Sequence, residues 1–207
     1  MTKVALLDYG SGNVHSAAKA LSVAGADVLL TNDKQELLES DGLVIPGVGA
    51  FGSVMKSLSK LDIASVLDKR LSSGKAVLGI CVGMQVLFER GEENQGAEGF
   101  GQWPGVVEKL SAPILPHMGW SKVDSDPQSV LFAGLQGESF YFVHSYAVKK
   151  WQLDIRPPFK QAALSHATHG ERFLAAVENG PLAATQFHPE KSGRAGLKLL
   201  ENWVASI

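Results

Sequence analysis

The polar and apolar positions change period several times along the chain, and each change marks an element. Val4-Ala-Leu-Leu7 is an unbroken apolar run that closes on Asp8 and the turn-forming Tyr9-Gly-Ser-Gly-Asn13, the pattern of a buried strand followed by a turn. Val14, Ala17, Ala18 and Leu21 then recur at helical spacing, and Gly25 stops that helix. Asp27 to Thr31 and Gly42 to Pro46 read as the second and third strands, and helical patterning runs from there to Leu71. Lys75 to Ile80 is a further buried strand, and Val82 to Glu89 reads as the helix after it. Strands apolar on both faces and separated by helices predict a doubly wound, mostly parallel α/β sheet. Ligands in such sheets gather at the C-terminal strand ends, where Gly10, Gly47 and Cys81 fall.

The second half has another rhythm. Gly91 to Gly105 is a glycine-rich acidic stretch that reads as a loop. Short β-like runs follow at Gly105 to Lys109, Ser139 to Val143, Phe173 to Val177 and Leu182 to Gln186, predicting an additional antiparallel portion attached to the main sheet. A last helix carries Leu197, Leu200, Trp203 and Val204 as an apolar stripe, a core face rather than a cofactor site. No linker composition interrupts the chain, so residues 1–207 are expected to form one α/β domain, its central sheet flanked by helices.

Composition narrows the function classes. The chain is 45% hydrophobic and 19% charged with a net charge of −2, which gives no electrostatic reason to expect nucleic acid or an anionic membrane as partner. Its one cysteine cannot form an internal disulfide, which suits a reducing cytoplasm. The apolar run at the N-terminus is too short for a signal peptide, and no stretch is long enough to span a bilayer.

That one cysteine carries the chemistry. Cys81 lies in Gly79-Ile-Cys-Val-Gly83, between a buried strand and a helix, on the kind of strained turn that presents a nucleophile. A helix start also favours thiolate over thiol. A lone cysteine is ordinarily a small buried hydrophobe. What changes the reading is Gln186-Phe-His-Pro-Glu190, which follows another apolar strand and places His188 at a second strand end. Glu190 can hold one imidazole nitrogen and fix the tautomer, leaving the other nitrogen for Cys81. Cys81, His188 and Glu190 are therefore the expected nucleophile, acid–base and orienting acid.

Pro46-Gly-Val-Gly-Ala-Phe-Gly52 matches G-x-G-x-x-G, but it follows the third strand, and Asp68, the acidic residue about twenty positions on, falls in a helical stretch. A dinucleotide fingerprint is rejected. Glycines beside a cysteine elbow suit an oxyanion loop at Gly47, Val48 and Gly49, with the Val82 N–H as a further donor. His166-Ala-Thr-His169 has no cysteine or carboxylate cluster beside it and reads as a solvated loop, so no metal and no cofactor are expected.

The segments GICVGMQ around Cys81 and QFHPEKS from Gln186 resemble those of the class I (triad) glutamine amidotransferases. Asp8-Tyr-Gly-Ser-Gly-Asn13, Pro46-Gly-Val-Gly-Ala-Phe51, Pro116-His-Met-Gly-Trp120 and Tyr141-Phe-Val-His-Ser-Tyr146 narrow the resemblance to the branch that supplies the glutaminase subunits of imidazole glycerol phosphate synthase. The resemblance covers essentially the whole chain, as one amidotransferase type 1 domain. It implies hydrolysis of L-glutamine through a glutamyl thioester, with the ammonia passed in trans to a (β/α)8-barrel cyclase subunit of histidine biosynthesis. It also implies roles for particular residues. Gln85, Glu93, His144, Ser145 and Tyr146 would bind glutamine's amino and carboxylate groups, and Asn13, Trp120 and Lys191 would face the cyclase. Ser121 departs from the pattern, since the family usually has Asn after this tryptophan. The branch is weakly active alone, and a flip of the Gly47-Val48-Gly49 peptide would account for its activation.

Besides a cysteine protease, possible in principle, two other readings stay open on the residues. One is a glutaminase subunit of a different synthase, against which PGVGAF and HMGW argue. The other is a non-catalytic stress or binding protein of a related cysteine-containing α/β fold, against which the intact His188 and Glu190 argue.

Overall fold

The computed structural model describes residues 1–10, 14–153 and 160–207. The first half alternates strand and helix: β1 Lys3–Leu7, α1 Val14–Val23, β2 Asp27–Thr31, α2 Lys34–Glu39, β3 Gly42–Gly47, α3 Phe51–Lys60, α4 Ile63–Ser72, β4 Ala76–Cys81 and α5 Val82–Gln85. The second half is mostly strand: β5 Phe88–Gly91, β6 Ala97–Glu98, β7 Trp103–Lys109, β8 His117–Lys122, β9 Ser139–His144, β10 Tyr146–Val148, β11 Ala163–His169, β12 Glu171–Asn179 and β13 Leu182–Thr185, closed by α6 Gly193–Ala205.

The main sheet has seven strands in the order β11-β12-β13-β4-β3-β1-β2. From β2 through β13 the pairings are parallel, and β12 and β11 add the expected antiparallel portion. Residues 4–7, 43–45 and 77–78 are completely buried, as a sheet covered on both faces requires. A smaller sheet, β10-β7-β5-β6, and the β8-β9 pair flank the site end of the molecule. The register that matters pairs Gly47 with Cys81 and Thr185 with Ile80. It brings the ends of β3, β4 and β13 together, and with them the Gly47-Val48-Gly49 segment, the cysteine and the segment leading to His188.

The structure departs from the pattern in several places. The helical stretch up to Leu71 is two helices, broken where Asp62 takes a left-handed φ of 53°. The helix expected over 82–89 ends at Gln85. Phe88 instead enters β5 beside β7, its ring 5.3 Å from that of Trp103 and 6.5 Å from that of Trp151, so aromatic burial overrides helical spacing. The expected loop over 91–105 contains β6 and the start of β7. His166 and His169 lie in β11, not in a solvated loop; His169 stacks on His117 with ring centroids 4.2 Å apart. The α6 stripe is Gly196, Leu199, Leu200, Trp203 and Val204, with Leu197 only half-buried.

Candidate active site

Cys81 closes β4 and precedes α5 with φ 57° and ψ −113°, a combination that is rare outside glycine. The conformation is held by its neighbours. A Cβ on Gly83 would lie 1.9 Å from the Ile45 carbonyl oxygen, and one on Gly47 would lie 2.2 Å from the Gly83 nitrogen. Glycine at both positions lets the end of β3 press against the first turn of α5, which over-determines the elbow between them.

His188 follows β13. Its backbone N–H donates to the Tyr141 carbonyl at 3.0 Å, and its own carbonyl accepts from Ser192 Oγ at 2.6 Å. Ser192 Oγ also accepts the Tyr141 N–H at 2.9 Å, so one hydroxyl ties the His188 turn to β9. In the side chain, His188 Nδ1 donates to Glu190 Oε1 at 2.8 Å, and both groups are buried. Nε2 is buried without a conventional hydrogen bond and faces the cavity it shares with Cys81. Burial is the largest single influence on this imidazole and lowers its pKa, but Cys81 and Glu190 together outweigh it and raise the value to about 9. His188 therefore carries two protons at neutral pH.

The cavity at this point measures about 170 Å³ and is lined by Val48, Gly49, Cys81, Val82, Gln85, Glu93, Val143, His144, Ser145, Tyr146 and His188. Larger grooves of about 460 and 660 Å³ lie elsewhere on the surface, away from Cys81. The expected oxyanion and glutamine residues thus converge on Cys81, with Gly47 just behind the cavity and Glu190 behind His188. Gly49 adopts φ +97° with open space where a Cβ would be. Glu93 Oε2 accepts the Phe51 N–H at 2.8 Å, which anchors the carboxylate at the N-terminus of α3, just after the Gly47-Val48-Gly49 segment.

Two of the expected ligand residues are committed otherwise than their sequence roles imply. The Tyr146 carbonyl can only accept. It takes one bond from Gln85 Nε2 at 2.9 Å and one from His144 Nδ1 at 2.9 Å. His144 Nε2 is then the acceptor for His117 Nδ1–H at 3.1 Å, and His117 Nε2 the acceptor for Ser121 Oγ–H at 2.8 Å. Both His144 nitrogens are consumed within the protein, so this ring forms cavity wall and does not bond ligand. Burial holds His117 down to about 4, with the charge of His169 adding to it, and burial likewise holds His144 down to about 3. Both imidazoles are neutral at pH 7.

Trp120 on β8 is 57% exposed with Met118 at 63% beside it, and Lys191 is exposed at the end of the 189–191 turn. Trp120 meets Tyr141 at 6.0 Å, and Gly193 approaches its ring, so Trp120 stands on the strand pair that carries His188's anchor. Asn13 lies outside the described residues. Residues that the sequence did not single out are Gln186, against Cys81, and His117, behind His144; being polar and within quoted motifs was their only signal.

The profile of the Glutamine amidotransferase class-I family matches residues 5–207. The chain is 57% identical over 205 residues to the imidazole glycerol phosphate synthase subunit HisH of Leifsonia xyli subsp. xyli, covering 99% of this chain and 98% of that one. It is 59% identical over 206 residues to the protein of the same name from Nocardia farcinica, covering 99% and 98%. Among solved structures it resembles a glutamine amidotransferase with a TM-score of 0.75 at 19% identity, covering 99% of each chain. It also resembles PurLQS from Thermotoga maritima with a TM-score of 0.69 at 19% identity, covering 99% and 98%. The chain belongs to the class-I glutamine amidotransferases.

Proposed function

We propose that this chain is the glutaminase subunit of a cytoplasmic imidazole glycerol phosphate synthase, residues 1–207 acting as one amidotransferase domain that feeds ammonia to a (β/α)8-barrel cyclase in trans, in histidine biosynthesis. The observation that carries the reading is the convergence of Cys81, on its strained turn, with the buried His188–Glu190 pair around a small polar cavity. Full-length identity above half to proteins named as this synthase subunit supports the branch.

His188 enters the reaction as the imidazolium, and Cys81 attacks glutamine's carboxamide carbon through its sulfur, the thiolate being the nucleophilic form of a cysteine. His188 Nε2–H then protonates the departing nitrogen, the C–N bond breaks, and ammonia leaves a glutamyl thioester. The now neutral His188 takes a proton from water as that water attacks the thioester, and glutamate leaves with Cys81 again a thiolate. Glu190 holds Nδ1–H throughout, which keeps Nε2 as the working nitrogen. Oxyanion donors come from the Gly47-Val48-Gly49 loop and Val82, each worth about 3–4 kcal/mol at the transition state.

The bound amino acid presents an ammonium and a carboxylate. Glu93 keeps one oxygen for the ammonium, and Gln85, whose amide hydrogens are both spent, offers only its carbonyl. Both accept, so both belong at the ammonium end, and Ser145 and Tyr146 belong at the carboxylate end. The exposed Trp120 and Lys191, with Asn13, face the cyclase. The test is glutamate release by the purified chain, alone and with the cyclase subunit carrying its nucleotide ligand. Stimulation that disappears in Cys81→Ala supports the reading. Alkylatable Cys81 with no turnover in either condition points instead to a different synthase partner or to a binding protein.

A further inference from the structure

Among the described residues, Cys81 Sγ has two polar neighbours besides His188. One is the Val143 carbonyl at 4.0 Å, an acceptor that can only take a hydrogen from the thiol and disfavours the thiolate. The other is Gln186 Nε2 at 3.8 Å, within reach of an N–H donor to sulfur. Which end of the Gln186 amide faces the sulfur follows from a chain of necessity. The Tyr146 carbonyl accepts only, so the Gln85 group 2.9 Å from it is its NH2. That same NH2 lies 3.0 Å from the Gln186 side chain, which must therefore present its oxygen there. The Gln186 NH2 is left aimed at Sγ. Both glutamines are buried, at 4% and 1% exposure, and the Gln186 backbone N–H is pinned to the Ala175 carbonyl at 2.8 Å.

We infer that Gln186 is a catalytic residue that donates a side-chain N–H to the Cys81 sulfur and stabilises its negative charge, with Gln85 and the Tyr146 carbonyl as positioning groups that fix the direction of that bond. The inference rests on the reading of Cys81 as nucleophile. Gln85 thereby has a second task, and sequence order explains the economy of the device, since Gln186 is two residues from His188 and approaches the sulfur from the neighbouring strand end.

The titratable groups around Sγ are His188, backed by Glu190, with Glu93 and His144 lining the same cavity; the substitutions below leave all of them in place. The experiment reads the sulfur itself, by iodoacetamide alkylation of Cys81 against pH, without glutamine or partner, so loss of this contact and failure of the functional reading are separable. Gln186→Met keeps the volume and removes the donor, and Gln186→Glu replaces it with an acceptor. In both, the midpoint of the alkylation profile moves upward by about one unit, and the rate at a pH below both midpoints falls about tenfold. The shift is larger in Gln186→Glu. Gln85→Leu moves the midpoint in the parent but adds nothing in the Gln186→Met background. In the unaltered protein, the Gln186 side-chain N–H resonances shift with the same pH midpoint as alkylation, a readout that needs no variant to fold. A folded Gln186→Met with an unmoved midpoint, or amide resonances indifferent to that titration, overturns the inference.

Discussion

Cys81 is a non-glycine residue at φ 57° and ψ −113°, in a region that costs about 1–3 kcal/mol and persists only where the surroundings impose it. Cys81→Ala keeps that strain and Cys81→Gly relieves it. Urea unfolding should therefore find Cys81→Gly more stable than Cys81→Ala by about 1 kcal/mol, after glycine's extra unfolded-state entropy is subtracted, with both inactive. Equal stabilities would mean the turn stores no more strain than glycine's unfolded-state entropy offsets. His188 makes a second prediction. If His188, its pKa raised to about 9, donates the proton to the leaving nitrogen as proposed, kcat/KM for glutamine should fall as pH rises through about 9. The same shift stabilises the fold fully below the ordinary value of 6.5 and ceases to do so as pH rises through about 9. At this scale the residues proposed to react stood out in the sequence, because Cys81 and His-Pro-Glu are chemically unusual in their settings. Gln186 and His117 were not, because a glutamine or histidine gains its role from partners distant in sequence, here 101 positions from Gln85 and 27 from His144.

Elements converge on the site because they pass unusually close. A methyl group on Gly83 would overlap the Ile45 carbonyl, so Gly83→Ala must push α5 away from β3 and move Cys81. The expected outcome is a loss of several kcal/mol (about 3–5) in unfolding free energy, with turnover falling with it. Arg70 works at the opposite end of the sheet. It is fully buried in α4, where burial lowers its pKa to about 10, partly opposed by Asp41. Nη1 donates to the Leu37 carbonyl at 2.6 Å and the Ser40 carbonyl at 3.0 Å, and Nη2 to those of Asp41 at 3.0 Å and Ala76 at 2.8 Å. These bonds clamp the end of α2 to the starts of β3 and β4. Arg70→Met leaves the carbonyls unpaired and should destabilise by about 3 kcal/mol or more in thermal or urea unfolding. A change under 1 kcal/mol would show that water replaces the guanidinium. The parallel strands announced themselves as continuous apolar runs, and Asp27–Thr31 begins and ends where the pattern put it. The stretch after Gln85 did not, because Phe88 at helical spacing has the same apolar signature as Phe88 in a strand, and only Trp103 and Trp151 across the cluster decide between them. Arg70 was not singled out in the sequence, because its carbonyl partners carry no sequence signal.

For the whole molecule, the buried chain Ser121–His117–His144–Tyr146 runs from the strand that bears the exposed Trp120 to the cavity that holds Cys81. Ser121 stands where the family usually has asparagine, and it supplies the hydroxyl donor that the neutral histidine pair requires. The unfolded chain binds protons at these histidines near pH 6.5, but the folded chain resists to about 4 at His117 and about 3 at His144. The unfolded state therefore holds more protons in that window, and stability is present above 6.5 and lost as pH falls toward 4. A loss of about 5 kcal/mol across it, roughly half from each histidine, is expected from urea unfolding at a series of pH values, beyond what surface carboxylates contribute. Stability flat between those pH values would rule out a neutral buried pair. The central claim concerns the chemistry that all three scales serve. Its most direct measurement is glutamate release from glutamine by the purified chain, with and without a cyclase subunit carrying its nucleotide ligand, compared with Cys81→Ala. The account predicts turnover that the liganded partner stimulates and that Cys81→Ala abolishes; stimulated turnover surviving in Cys81→Ala would contradict it.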